Sequence, residues 1–226
     1  PDAIFMVLEY ADRGNLAQFL RARRAPLRRR VGERAALHLF AHLACGLRYM
    51  RSLNIMHRDI KPQNLLLATD DDGGDDGDHG DAFGPHDADV ARVVLKIADF
   101  GFARPLATGA LAETLCGSPL YMAPEILRFE PYTPAADLWS AGAVLYEMLA
   151  AEPPYHAPNH IELARQHRTR TAALDVALPL SAACRDLVHS LLAKDIAARC
   201  TWQHMFAHPW LAAELGAAQA AADVHQ

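Results

Sequence analysis

Apolar and polar positions along this chain follow two different periods, and each change of period marks an element. Residues 4–8 (Ile-Phe-Met-Val-Leu) are an apolar run with no helical repeat, which predicts a short buried strand. Residues 9–14 break it, and residues 15–21 read as a short helix. Over residues 33–52, Leu37, Phe40, Ala44 and Leu47 recur at helical spacing. A long helix with one face in the core is expected there, its stripe ending in Met50. Residues 65–67 and 93–97 are two short strand candidates. After Pro134 the helical pattern returns. Residues 137–149 are apolar on nearly every side, as a helix at the centre of a bundle would be. Leu187, Val188, Leu191 and Leu192 make a one-sided stripe, preceded by Ser181 as an N-cap. His208-Pro209-Trp210-Leu211 ends the patterned part, and residues 212–226 form an Ala-rich tail without any repeat.

Composition bounds the class. With 226 residues and 51% hydrophobic, the chain can build one core and is short for two. A net charge of −5 argues against a general nucleic-acid binder. Cys45, Cys116, Cys184 and Cys200 are widely spaced with no C-x-x-C pair, so they read as buried thiols of a reducing, cytoplasmic compartment. The apolar stretch 141–151 contains Glu147 and is too short to span a bilayer, so no transmembrane segment is expected. No signal peptide is visible and the first residue is Pro, which reads as an internal piece or an incomplete start. Six arginines crowd residues 21–30; a solvated turn is the plain reading, a patch for phosphate or an acidic partner the other.

Residues 68–92 carry nine Asp and one Arg, a charge of −8, so the rest of the chain stands at +3. Such a stretch buries almost nothing and is expected to be disordered. Widening a hairpin loop from ~4 to ~25 residues costs roughly 1.6 kcal/mol of closure entropy, which a stable fold tolerates. No register of its acids fits a calcium-binding loop of the EF-hand type.

Chemistry-bearing residues occur in four groups. They are His57-Arg58-Asp59-Ile60-Lys61-Pro62-Gln63-Asn64, Asp99-Phe100-Gly101, Ala123-Pro124-Glu125 and Asp137-Leu138-Trp139-Ser140. In this order they resemble the signatures of eukaryotic-type serine/threonine protein kinases. The resemblance implies an α+β protein-kinase-like fold, here mainly the helical C-terminal lobe with short β-hairpins and the N-terminal β-lobe largely absent. It covers residues 4–211 as a partial kinase domain, interrupted by the acidic insert. Phosphoryl transfer needs a hydroxyl aimed at the γ-phosphate and cations to hold developing charge. By resemblance Asp59 is the proton acceptor and Lys61 points at the transferring phosphate, while Asn64 and Asp99 hold Mg²⁺ and ATP through hard oxygens. A Lys at position 61 also favours Ser or Thr over Tyr as acceptor. His57 and Phe100 are implied to be packing residues rather than proton carriers. Leu8 falls at the gatekeeper, Glu9 and Ala11 where backbone bonds adenine, and Leu66 beneath the adenine ring.

Residues 99–125 resemble an activation segment. Thr114 matches a phosphorylated position, with Arg58 and Arg104 as cationic partners able to order the loop around a phosphate. Ser118 resembles a residue that bonds Asp59 and Lys61. Glu125 and Arg199 match a buried ion pair, and Asp137 a carboxylate that accepts amides of the catalytic loop; these are structural. Lys96-Ile97-Ala98-Asp99-Phe100-Gly101-Phe102-Ala103-Arg104, residues 112–119, residues 136–142 and Asn159-His160-Ile161-Glu162-Leu163 are together most similar to the autophagy-initiating (Unc-51-like) kinase family. That implies protein substrates with Ser or Thr acceptors, autophagy regulatory subunits as partners and recruitment to autophagosome-forming membranes.

Basophilic kinases place acids where this chain has Asn15 and Gln63, although Glu147 remains, so weak dependence on upstream basic residues is expected. No glycine-rich loop precedes Ile4, and no strand Lys or helix Glu is present for the ion pair that positions the α- and β-phosphates. A catalytically silent kinase-like scaffold is therefore the second reading, and an acidic cation-binding protein the third.

Overall fold

The computed structural model describes residues 5–24, 30–69, 87–105 and 118–224. Helix α1 (Leu16–Arg24) starts with reciprocal bonds: Asn15 Oδ1 accepts from the Gln18 N–H at 3.0 Å, and Gln18 Oε1 accepts from the Asn15 N–H at 2.9 Å. Helix α2 (Glu33–Ser52) buries Ala36, Leu39, Phe40, Leu43, Ala44 and Leu47 along one stripe. Strand β1 (Ile55–Met56) follows, then β2 (Leu65–Thr69), β3 (Val93–Ile97) and β4 (Arg104–Pro105). β2 pairs antiparallel with β3 in the register Leu65↔Ile97, and β1 with β4 in the register Met56↔Arg104. These two-stranded sheets are the only sheets among the described residues.

The remaining elements are helical: α3 (Pro124–Leu127), α4 (Ala135–Ala150), α5 (His160–Thr169), α6 (Ala182–Leu191), α7 (Trp202–Ala207) and α8 (Ala212–Val224). Every residue of α4 from Ala136 to Leu149 is buried, so its all-round apolar pattern places it at the centre of the core. Helix α6 packs close at Gly142, where an added Cβ would stand 2.7 Å from Leu191 Cβ. The Ser181 hydroxyl caps α6 by accepting from the Cys184 N–H. Glu33 ties the start of α2 to the far end of the chain. Its carboxylate accepts from the Ser181 N–H at 2.7 Å, from the Ser181 hydroxyl, and from Trp210 Nε1 at 2.8 Å. Burial pushes this carboxyl up, but those donors outweigh it and hold Glu33 below the usual carboxylate range.

Two expectations change. The apolar run at residues 5–8 is no buried strand: Phe5, Met6, Val7 and Leu8 have no regular structure and stand in solvent, Val7 at 94% exposure. Such a run is buried only where another element covers it, and no described element does. The acidic insert is also narrower than 68–92. Ala68 and Thr69 belong to β2, and residues Asp87–Arg92 form a 3-10 turn against α2 with Val90 fully buried. Residues 70–86 lie outside the described residues, as do Thr114 and Cys116. The Ala-rich tail forms a helix over Ala212–Val224 that docks on α2, burying Leu215 and Ala218. Of the thiols, Cys184 and Cys200 are buried and Cys45 half-buried; burial pushes the Cys184 thiol up to about 12, so it is inert.

Candidate active site

One carboxylate from the central helix shapes the loop that carries Asp59. Asp137, in the first turn of α4, accepts the His57 and Arg58 backbone N–H groups, each at 2.9 Å. Both bonds hold Arg58 at φ +68°, a left-handed conformation that a bulky residue keeps only under such constraint. Burial pushes the Asp137 carboxyl up, against the pull of the two amides. His57 is buried as well. Its Nε2 lies 3.1 Å from the Ala98 carbonyl, so that nitrogen carries the proton, and its Nδ1 accepts from the Asp59 N–H at 3.3 Å. Burial pushes its pKa down, so the ring stays neutral as a brace between the catalytic loop and β3. It meets the Phe100 ring edge-on at 5.3 Å, although Phe100 is otherwise 54% exposed.

Asp59 is buried, and its two oxygens differ. Oδ2 accepts from Lys61 Nζ at 2.6 Å and from Asn64 Nδ2 at 3.0 Å. Oδ1 has no hydrogen-bond partner. Beside it lies a cavity of about 10 Å³, room for one water, lined by Arg58, Asp59, Ser118, Tyr121 and Met122. Asn64 also donates to the Asp59 carbonyl at 3.0 Å. Its amide nitrogen is thus turned toward Asp59, which leaves Oδ1 facing away from it.

The hairpin sets Asp99 beside this loop. The Ala98 N–H donates to the Asn64 carbonyl at 2.9 Å, extending the β2–β3 ladder by one step. Asp99 follows in the left-handed conformation, φ +63°, with its Oδ1 accepting from the Gly101 N–H at 3.3 Å. Its carboxylate is exposed and offers hard oxygens at the cleft edge. Asn64 and Asp99 therefore fit Mg²⁺, which takes one or two protein oxygens and completes its shell with phosphates and water. Among the described residues no set of three His, Cys, Asp or Glu side chains could hold a metal unaided.

Residues 1–211 match the sequence profile of the protein kinase domain. The chain belongs to the protein kinase domain family. It is 39% identical over 213 residues to serine/threonine-protein kinase atg1 of Dictyostelium discoideum, covering 93% of this chain and 28% of that protein. Against serine/threonine-protein kinase ATG1b of Arabidopsis thaliana the figures are 41%, 93% and 27%. Against serine/threonine-protein kinase atg1 of Schizosaccharomyces pombe they are 45%, 72% and 21%. The chain thus spans about a quarter of the length of these curated relatives.

Other expected residues of the kinase domain fall as follows. Glu125 and Arg199 make a two-pronged ion pair at 2.7 and 2.9 Å with both side chains at 0% exposure. Arg199 also donates to the Ala193 and Ala135 carbonyls, at 3.0 Å each, and stacks over Trp139. Arg58 Nε donates to the Phe102 carbonyl at 2.6 Å, and Arg104, exposed on β4, pairs with Met56 across the sheet. The Arg58 side chain is thereby fastened to the segment after Asp99. Ser118 lines the same small cavity as Asp59, and among the described residues it has no hydrogen bond to Asp59 or Lys61. Its carbonyl instead starts the 3-10 turn by accepting from the Tyr121 N–H, and Lys61 reaches Asp59 directly. At the front, Glu9 is exposed and paired with Lys96, Ala11 and Leu66 are half-buried, and Leu8 is in solvent.

One grip on the segment after Ser118 went unread in the sequence. The Tyr121 hydroxyl donates to Glu147 Oε2 at 2.6 Å, and the Ser140 hydroxyl donates to the Tyr121 carbonyl at 2.8 Å. Both partners lie on α4. The carboxylate of Glu147 is buried on this bond, so it does not stand free for a basic substrate residue as expected. The signal was the tyrosine at position 121, since a buried phenol needs a partner.

Proposed function

We propose that this kinase domain transfers the γ-phosphoryl group of ATP to Ser or Thr hydroxyls of protein substrates, within the initiation of autophagy. The supporting observation is the split environment of Asp59. Oδ2 is held by Lys61 and Asn64, and the unpartnered, buried Oδ1 is left to receive a proton. As the substrate oxygen bonds to the γ-phosphorus, its proton passes to Oδ1, the bond to the β-phosphate oxygen breaks and ADP leaves. Lys61 stands over the same carboxylate, where its charge reaches the transferring phosphate. Asn64 Oδ1 and the Asp99 carboxylate would hold Mg²⁺, which would neutralise charge on the phosphates. Glu9, Ala11 and Leu66 line the adenine side, and phosphorylated Thr114 is drawn to Arg58 and Arg104. Glu125, Arg199, Asp137 and Ser118 shape the segment rather than react.

Residues 1–211 form the catalytic unit, and residues 212–226 its docked tail. These 226 residues alone are inactive, because they contain no glycine-rich loop and no Lys–Glu pair for the α- and β-phosphates. A catalytically silent kinase-like scaffold is the alternative reading. The active protein works in the cytoplasm with autophagy regulatory subunits, at autophagosome-forming membranes; the likeness to kinases named atg1 supports this. No described helix is long and apolar enough to cross a membrane.

The test is Asp59→Asn in the full-length kinase. Loss of a general base lowers kcat by about 10²–10⁴-fold, with the melting transition unchanged. The same variant is expected not to restore autophagy in cells that lack their own atg1 kinase. Undiminished transfer removes Asp59 from the mechanism, and undiminished rescue separates the pathway from the catalysis. Substrate choice is tested on a peptide array. Asn15 and Gln63 carry no charge and Glu147 is engaged by Tyr121, so replacing Arg upstream of the acceptor should change rates by less than about threefold, under 1 kcal/mol. A strict Arg requirement contradicts this reading.

A further inference from the structure

Two large apolar side chains stand in solvent on the helical part of the domain, away from its front edge. Phe129, in the turn that ends α3, is 68% exposed, and Ile161, in the first turn of α5, is 70% exposed. Phe129 is also strained. Its φ is +58°, a left-handed conformation that glycine or asparagine takes readily and a bulky aromatic residue takes only under constraint. The constraint is the end of α3. The Phe129 N–H donates to the Ile126 carbonyl and the Glu130 N–H to the Glu125 carbonyl, each at 3.0 Å. This turn calls for a left-handed residue, but nothing in it calls for a ring. The ring stands in water and covers no core, and such an outlier points to a surface that meets something outside the domain.

Both residues belong to one region. Helix α3 packs against α5, and the charge of Arg128, beside Phe129, acts on His167 at the inner face of α5. Ile161, Arg165 and Arg168 recur at helical spacing on the outer face of α5, and all three are exposed. Each apolar residue is flanked by a two-pronged ion pair. Arg128 meets Glu130 twice at 2.7 Å beside Phe129, and Arg165 meets Glu162 at 2.6 and 2.8 Å beside Ile161. Those pairs cancel their own charges. Arg168 makes no ion pair or hydrogen bond among the described residues, so the charge left on the face is positive. The face also adjoins the acceptor site. Tyr121 lines the cavity at Asp59, its 3-10 turn contacts α5, and α3 follows from Pro124.

We propose that Phe129 and the Ile161–Arg165–Arg168 stripe of α5 form a docking face for protein substrates, which binds an acidic segment with two apolar residues, separate from the stretch around the acceptor hydroxyl. Docking of this kind rests on the transfer proposed above, and it selects which proteins reach that site. The apolar residues of the segment cover Phe129 and Ile161, the ion pairs around them form a rim that excludes water, and an acidic side chain meets Arg168. A segment held there raises the local concentration of its acceptor at Asp59, so it lowers KM and leaves kcat alone. Substrate choice thereby gains a source other than charge upstream of the acceptor, where Asn15 and Gln63 are neutral and Glu147 is engaged.

The test uses the full-length kinase and a peptide library. Each member carries a fixed Ser acceptor and a randomised segment on either side of it, joined by Gly/Ser linkers of about 5 to 20 residues that reach roughly 12–25 Å. The best members are expected to carry apolar residues with Asp or Glu, and to show a KM at least about tenfold below that of the bare acceptor peptide at the same kcat. Phe129→Asn suits the left-handed backbone and Ile161→Asp suits the first turn of a helix, so both keep the fold. Each is expected to erase the KM advantage while the bare acceptor is phosphorylated as before. Arg168→Glu is expected to shift the preference from acidic toward basic segments. Rates that ignore the segment, a preference for basic segments in the unmodified kinase, an advantage that survives in both apolar-site variants, or a lowered kcat on the bare acceptor in either of them overturns the docking face. If the unmodified kinase phosphorylates neither the bare acceptor nor any extended member, the transfer reading itself is overturned and docking falls with it.

Discussion

The floor of the cleft and its front edge are held in different ways. The floor is tied to the helical core from several directions. Asp137 takes two amides of the catalytic loop, His57 links that loop to Ala98, and Glu147 and Ser140 hold Tyr121 at both ends. The front edge has few such ties. Residues 5–8 stand in solvent, and Glu9 is held to β3 by an exposed pair with Lys96. Asp59 is thus positioned by the helical lobe itself, whereas the front edge has few contacts among the described residues.

The largest effect that would break this comparison lies at Glu125 and Arg199. Both charges are fully buried and satisfy one another, so truncating either strands the other. Glu125→Ala is expected to cost about 3–5 kcal/mol, read as a lowered denaturant midpoint. A loss below 1 kcal/mol would show that the floor does not rest on the core.

The division was only partly legible in the sequence. Helices α2, α4 and α6 were readable because their apolar periods are long, α6 also because Ser181 caps it locally, and the hairpin because its two apolar runs flank a loop. The catalytic loop was readable because its residues are contiguous. Residues 5–8 were misread because an apolar run reports what a segment can bury, never whether a partner is there. The docking of α8 left no strong signal, since alanine gives little contrast between helix faces. The role of Glu33 was hidden too. An acid in a first helical turn looks like a dipole charge, and its partners Ser181 and Trp210 lie far along the chain.

A smaller effect sharpens the view of the floor by finding its weak point. His167 on α5 is buried between Trp139 and Tyr155, and neither ring nitrogen has a partner. Burial pushes its pKa down to about 4. The unfolded chain protonates the same ring near pH 6.5, so it binds more protons between those values. Stability present above pH 6.5 is therefore lost as pH falls toward 4, on the order of 3 kcal/mol in all. Glu33, whose pKa is lowered, acts only below the ordinary carboxylate range, while His57, also pushed down by burial, adds to the same loss on the acid side. Denaturant midpoints at pH 7 and pH 5 read the effect, and His167→Phe, which cannot titrate, should lessen it by the His167 share. An equal slope in that variant would assign the acid sensitivity elsewhere.

The smallest effect belongs to the front edge, where little is predicted to happen. Glu9 is more than half exposed and Lys96 about a third, so water screens their pair and two flexible side chains lose entropy in making it. Glu9→Gln should change stability by less than about 0.5 kcal/mol, within the range of exposed ion pairs. Its effect is expected instead in hydrogen exchange, as faster exchange of residues 5–11 with no change in α2 or α4. A loss above 2 kcal/mol, with α2 also exchanging faster, would mean that the front segment is part of the cooperative core. The contrast between floor and edge would then be one of exposure alone, not of energy.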